Sequence, residues 1–271
     1  MKSVLVHIHR DDGQEARFQA ALDVVRAFEG HLACLQTAPL ETFAAVDPYG
    51  VSYLLAQTVE QIREIEQEEK AQFEARLANE GLSWDWHSHS GDPIRLIADH
   101  SWLADLVVVS APGREWKPRL EAPPVSAEVV MKSRAPVLVV PEASRGLDCT
   151  GPVAVAWNGS PEACAALRGA LPLLKHASSV TLVAVANDDG FDLPPIEAST
   201  YLARHGVPSE LIELKPDGGP VSDLLLDAAE VRKAACLVTG AYGHSRLREN
   251  ILGGVTRGLL QKSAIPLLLA H

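Results

Sequence analysis

The chain repeats itself. Ser110, Gly113 and Pro136 stand against Gly240, Gly243 and Pro266, each pair 130 residues apart, and Lys132-Ser-Arg-Ala-Pro136 shares its frame with Lys262-Ser-Ala-Ile-Pro266. Further upstream Cys34 falls against Leu182, so the spacing widens and the first half carries about 18 extra residues in its middle. A two-fold repeat forces one supersecondary pattern to be used twice. It therefore constrains the fold more than any single motif.

The pattern within each half is apolar runs alternating with helical stripes. In the first half, Val4–Ile8, His31–Leu35, Trp84–His89, Leu106–Ser110 and Pro136–Val140 read as strands. Between them, Ala16–Phe28 reads as a helix ended by Gly30, and Tyr53–Asn79 as a long one following the Asp47-Pro48-Tyr49-Gly50 loop. The long helix has Leu55, Val59, Ile62, Ile65, Phe73 and Leu77 on its expected buried side. A third helix opens at Gly91-Asp92-Pro93, with Asp92 as its cap, and a fourth spans Val125–Ser133.

The second half gives strands at Pro152–Trp157, Val180–Val185, Glu210–Leu214, Ala235–Thr239 and Leu267–Ala270. Its helices are Ala163–Lys175, capped by Ser160 with Pro161 at its first position, then Pro194–His205, Pro220–Arg232 and Arg257–Lys262. Alternating strand and helix means a parallel sheet with helices on both faces. The expected fold is α/β: two tandem doubly wound domains, residues 1–143 and 151–271, each with a five-stranded parallel sheet flanked by helices. A linker runs from Glu142 to Gly151.

One stretch carries chemistry: Gly240-Ala-Tyr-Gly243-His-Ser-Arg-Leu-Arg-Glu-Asn-Ile-Leu-Gly253-Gly254-Val-Thr256. It leaves a strand end and enters a helix start, where a doubly wound sheet opens its ligand crevice. Unpaired N–H groups at a helix N-terminus suit an anion, and a glycine lets a phosphate approach the backbone. His244, Arg246, Arg248 and Arg257 make the stretch locally basic. The plain alternative is a glycine-rich turn kept for packing.

The spacing Gly240, Gly243, Gly253 resembles the nucleotide loop of the universal stress protein family, Gly-x2-Gly-x9-Gly-Ser/Thr. With Val155-Ala-Trp-Asn-Gly159-Ser160, Gly91-Asp-Pro93 and Gly218-Gly-Pro220, the resemblance extends to a tandem member of that family. It implies ATP or AMP, with Mg2+ if ATP. The phosphates would lie at Gly240, Gly243, His244, Gly253, Gly254 and Thr256, and the nucleoside near Asn158 and Val185. Gly254 stands where the family has Ser or Thr, so Thr256 would substitute. Asn158 stands where it has Asp. The plain reading of Asn158 is a turn former, and of Val185 ordinary core.

The first half departs further. Pro123 and Pro124 match Gly253 and Gly254, and proline presents no N–H. With Glu115, Glu121 and Glu128 nearby, no phosphate site is expected there. The resemblance also implies that the final strands, Val137–Val140 and Leu267–Ala270, meet within one chain, with a homodimer as a further expectation. A ligand-free stress or scaffold module acting through protein contacts is the alternative function. A slow nucleotide hydrolase comes last, because no general base is evident in the loop.

The remaining features narrow the class. The net charge is −11, which disfavours nucleic acid, whose binding needs a basic face. No run is long and apolar enough for a membrane helix. The opening Met1–His7 lacks the apolar core of a signal peptide. Cys34, Cys149, Cys164 and Cys236 form no Cys-x2-Cys pair and read as reduced thiols, with Cys149 exposed in the linker. A cytoplasmic location is expected. His7/His9 and His87/His89 are same-face strand pairs, but the implied strand order separates them, so no metal site is assigned.

Overall fold

The computed structural model describes residues 1–38, 52–113, 124–185, 191, 193–215, 218–243 and 254–271, with the backbone alone over 52–59. Asp47–Gly50, Glu115, Glu121, Pro123, His244, Arg246, Arg248 and Gly253 lie outside them, as do the side chains of Leu55 and Val59. In the first half the elements are β1 (Ser3–Ile8), α1 (Gln14–Phe28), β2 (His31–Ala38), α2 (Ser52–Leu77), β3 (Ser83–Ser90), α3 (Pro93–His100), β4 (Leu106–Ser110), α4 (Val125–Lys132) and β5 (Val137–Val140). A 3-10 turn, Ser101–Leu103, joins α3 to β4. In the second half they are β6 (Val153–Trp157), α5 (Pro161–His176), β7 (Val180–Val185), α6 (Pro195–Arg204), β8 (Glu210–Leu214), α7 (Val221–Val231), β9 (Cys236–Gly240), α8 (Gly254–Lys262) and β10 (Leu267–Ala270).

All ten strands form one sheet in the order β3-β2-β1-β4-β5-β10-β9-β6-β7-β8. Pairing is parallel except at the centre, where β10 runs antiparallel to β5 with Leu268 opposite Leu138. The inner strands are apolar on both faces, as a sheet covered on both sides requires, whereas the edge strands β3 and β8 carry exposed polar residues. Val4, Val6 and Ile8 point to one side, against Phe18 of α1, Leu77 of α2 and Leu173 of α5. Leu5 and Val107 point to the other, against Ile97, Val129, Leu225 and Leu259 of α3, α4, α7 and α8. The extra length of the first half is mostly α2, with 26 residues against 10 in α6.

Several local expectations change. The left-handed residue that ends α1 is Glu29, with φ 46°, not Gly30. Gly30 is needed instead because a Cβ there would lie 3.0 Å from the Lys2 carbonyl oxygen. Among the described side chains of α2 only the last turns bury apolar ones, Phe73 and Leu77; Ile65 is exposed. Between them the helix turns polar groups inward: Gln36 Nε2 donates to the Glu66 carbonyl (3.1 Å) and to Glu69 Oε2 (3.0 Å).

The linker is packed rather than free. Leu147 and Cys149 are buried, and the Leu147 N–H donates to Asp23 Oδ2 of α1 at 2.9 Å. Cys149 is therefore inside, contrary to expectation, because the chain between the halves lies against α1. The caps at Asp92, which accepts from the Ile94 N–H, and at Ser160, which accepts from the Ala163 N–H, are as expected.

Candidate functional site

In each half the strand order reverses direction between the first and fourth strands, β1/β4 and β6/β9. That is the switch point where a ligand crevice opens beyond the carboxyl ends. Val4 pairs with Leu106, and Val153 with Cys236, on the same rung. His9 and Asn158 are thus equivalent, as are Asp11 and Ser160, Gly13 and Glu162, Arg17 and Ala166, and Ser110 and Gly240. The described parts of the two crevices thus correspond residue by residue.

The first crevice is filled by its own side chain. Arg17 of α1 is 1% exposed. One guanidinium nitrogen donates to Asp11 Oδ2 at 2.8 Å and to Ser110 Oγ; the other donates to the His9 carbonyl at 2.6 Å. Burial draws the Arg17 pKa down against the opposing pull of Asp11. Beside it His7 is buried, 2.9 Å from Thr37 Oγ1. Burial first, then the Arg17 charge, holds its imidazole well below the ordinary range. Pro124 caps α4 without a side-chain hydrogen bond.

The second crevice has buried Ala166 in place of the arginine, and of the expected residues Asn158, Gly243 and Gly254 are exposed there. Asn158 is exposed just beyond β6. Its Oδ1 accepts from the Ser160 N–H at 3.1 Å, while Gly159 takes φ 79°, so the oxygen already serves a turn. Val185 ends β7 and is buried in the apolar layer under α7 and α8, as the plain reading had it. Gly254 begins α8, exposed, with open space where its Cβ would be. Thr256 is buried, so its hydroxyl is not at the surface that Gly254 presents.

The two leading glycines do different things. A Cβ on Gly240 would lie 2.5 Å from the Ala163 nitrogen and 2.6 Å from the Glu162 carbonyl carbon, so this glycine is required for packing β9 against the start of α5. In the first half the same close approach is met from the other side: a Cβ on Gly13 would lie 2.6 Å from Ser110 Oγ. Gly243 is exposed, and a Cβ there would come within 3.2 Å of Glu162 Oε2. The left-handed residue of the turn is Tyr242, with φ 63°. Its hydroxyl is buried without a partner, and burial pushes its pKa up.

Glu162 and Arg17 are the residues that motif reasoning missed. Glu162 sits in the first turn of α5, where the helix dipole favours an anion. It is 9% exposed and, among the described residues, its Oε2 has no hydrogen-bond partner. The second crevice thus offers a carboxylate where the first holds a guanidinium. The signal for Arg17 was in view: a cation inside the apolar stripe Ala16–Leu22.

The family model of the universal stress protein family matches the chain twice, over residues 1–141 and 150–271. Among solved structures, a universal stress protein from Archaeoglobus fulgidus DSM 4304 is similar at 16% identity and TM-score 0.72, covering 99% of this chain and 96% of that one. A putative universal stress protein from Pseudomonas aeruginosa UCBPP-PA14 is similar at 16% identity and TM-score 0.62, covering 99% and 92%. These likenesses concern the fold. No curated protein matches the sequence.

Proposed function

The chain belongs to the universal stress protein family in both of its halves, and we propose that only the second half carries a ligand, an adenine nucleotide, ATP or AMP, in a stress-response role. The observation that supports this most is the contrast between Arg17, which closes the first crevice on Asp11, Ser110 and His9, and the rim of Asn158, Gly243 and Gly254 around the second. Phosphates would approach the N-terminus of α8 at Gly254, and the nucleoside would lie toward Asn158 and Val185. His244 and Gly253 belong to the same stretch of sequence.

Glu162 sets a condition on the ligand. A carboxylate beside Gly243 repels a bare triphosphate, so ATP is expected with Mg2+ between the two anions. The chain is read as cytoplasmic, and its halves as each other's partner along β5 and β10, the role a second copy would otherwise fill. A second reading, a ligand-free module acting through protein contacts, is favoured by the buried Glu162 and the engaged Asn158 oxygen. Isothermal titration with ATP and AMP, with and without Mg2+, separates the two. One nucleotide per chain, lost on Gly254→Asp, is expected; absence of both heat and thermal protection would leave the ligand-free module.

A further inference from the structure

A second cluster of chemistry-bearing side chains lies away from the crevice, on the outer edge of the first half. β3 is the edge strand of the sheet, and His87 and His89, two residues apart, share one of its faces. The chain then crosses over that face as α3 and ends the helix at His100. The three imidazoles form a triangle, with ring centres 6.3 Å (His87–His89), 5.4 Å (His87–His100) and 5.0 Å (His89–His100) apart. The strand order keeps His7 and His9 out of this group, since β2 stands between β1 and β3.

We propose that His87, His89 and His100 bind a divalent transition-metal ion of the zinc class. Three imidazoles around a tetrahedral ion, with metal–nitrogen bonds of about 2.0–2.1 Å, have ring centres about 5 Å apart. Two of the three observed spacings are within about half an ångström of that. His100 Nε2 is buried and, among the described residues, has no hydrogen-bond partner, so one donor is already withdrawn from water. Such an orphaned nitrogen is costly unless something fills the position.

The surroundings suit a cation. Asp85, on the same face of β3, lies 3.1 Å from His87 Nε2 and 3.2 Å from His31 Nε2. A carboxylate on the far nitrogen of a ligating histidine fixes the ring and raises its basicity. His87 would then ligate through Nδ1. Asp99, next to His100 on α3, adds a second carboxylate, 3.7 Å from Arg95 Nε. The donors are not yet gathered about one point. His87 and His89 are exposed, and on binding their side chains would turn toward His100. An imidazole set of this kind takes Zn2+, Cu2+ or Ni2+ in preference to Mg2+ or Ca2+, which seek oxygen. A bound ion would tie the edge strand to α3.

Titration of the full chain with ZnCl2, and Co2+ substitution followed by visible absorption, tests this. One ion per chain is expected, with the absorption of a tetrahedral Co2+ site. His100→Ala and, separately, the exposed His89→Ala should each weaken binding at least about tenfold, with His205→Ala as a neutral control. The fold of each variant is followed by circular dichroism; His89→Ala, on an exposed side chain, serves if His100→Ala unfolds. Zinc affinity unchanged in His89→Ala and in a His87→Ala, His89→Ala double variant would overturn the proposal, as would no binding at all.

Discussion

At the crevice the two halves place a required glycine on opposite partners of the same contact. In the second half Gly240 is the small residue, against the backbone of Glu162 and Ala163; in the first it is Gly13, against Ser110. Gly240→Ala would set a methyl carbon 2.5 Å from the Ala163 nitrogen and 2.6 Å from the Glu162 carbonyl carbon. Both are backbone atoms at the start of a helix held by the Ser160 cap, so neither can swing aside. Overpacking of this kind costs about 1–3 kcal/mol, and a rigid obstacle puts the cost toward the top. The lower entropy of unfolded alanine offsets about 0.4–1 kcal/mol. A net loss of about 2 kcal/mol follows, or roughly 4–8 °C in Tm for a chain of this size.

Gly13→Ala meets a side-chain oxygen instead, and that oxygen is held by Arg17. Its cost should be smaller, about 1 kcal/mol, and Ser110→Gly should remove most of it. Urea denaturation of wild type, both single variants and the double variant, followed by circular dichroism, gives the coupling energy. If Gly240→Ala matches wild type, or if Gly13→Ala costs as much beside Gly at position 110 as beside Ser, the exchange of small residues is not what shapes the two crevices.

Four other outcomes are expected. Glu162→Gln should strengthen binding of Mg2+-free nucleotide roughly tenfold while reducing the benefit of Mg2+, as read by calorimetry; no change would remove Glu162 from the crevice electrostatics. Arg17→Met keeps the volume but strips three hydrogen bonds, leaving Asp11 without its cation and the His9 carbonyl without this donor while Ser110 still donates to Asp11, and should destabilise by about 2–3 kcal/mol in denaturant. His7 is neutral in the fold and its pKa is depressed, so the unfolded chain binds its proton first. Stability from His7 is complete above about pH 6.5 and is lost as pH falls below it, and His7→Gln should flatten that part of the pH–stability curve. Burial pushes the Cys34, Cys149 and Cys236 thiols up to about 12. In the native chain at pH 8, only half-buried Cys164 should react promptly with a disulfide reagent.

The architecture is legible because its signals are redundant. Five apolar runs with four helical stripes between them occur twice, and the shared Lys-Ser-x-x-Pro frames leave one registration of the halves. The interior of the crevices is much less so. Glycine spacing marks Gly240 as a site residue, yet the demand on it comes from the backbone of α5, which is 77 residues earlier in the chain at Ala163. Glu162 reads along the sequence as an ordinary acidic first-turn residue, and only the fold brings Gly243 against it. Cys149 looks exposed because a Ser-, Arg- and Gly-containing stretch normally is; the nearby Asp23 carboxylate, reached through the Leu147 N–H, draws it in. His100 joins His87 and His89 only because the crossover lays α3 over its own strand. The two crevices thus differ through residues outside any motif.

The most direct measurement is a crystal structure after soaking with Mg2+ and ATP or AMP. One nucleotide per chain, at Gly254 and Asn158, with Arg17 still on Asp11 and Ser110, is the expected result. A nucleotide in the first crevice with Arg17 displaced, or Glu162 closing the second while no nucleotide enters either, would contradict it.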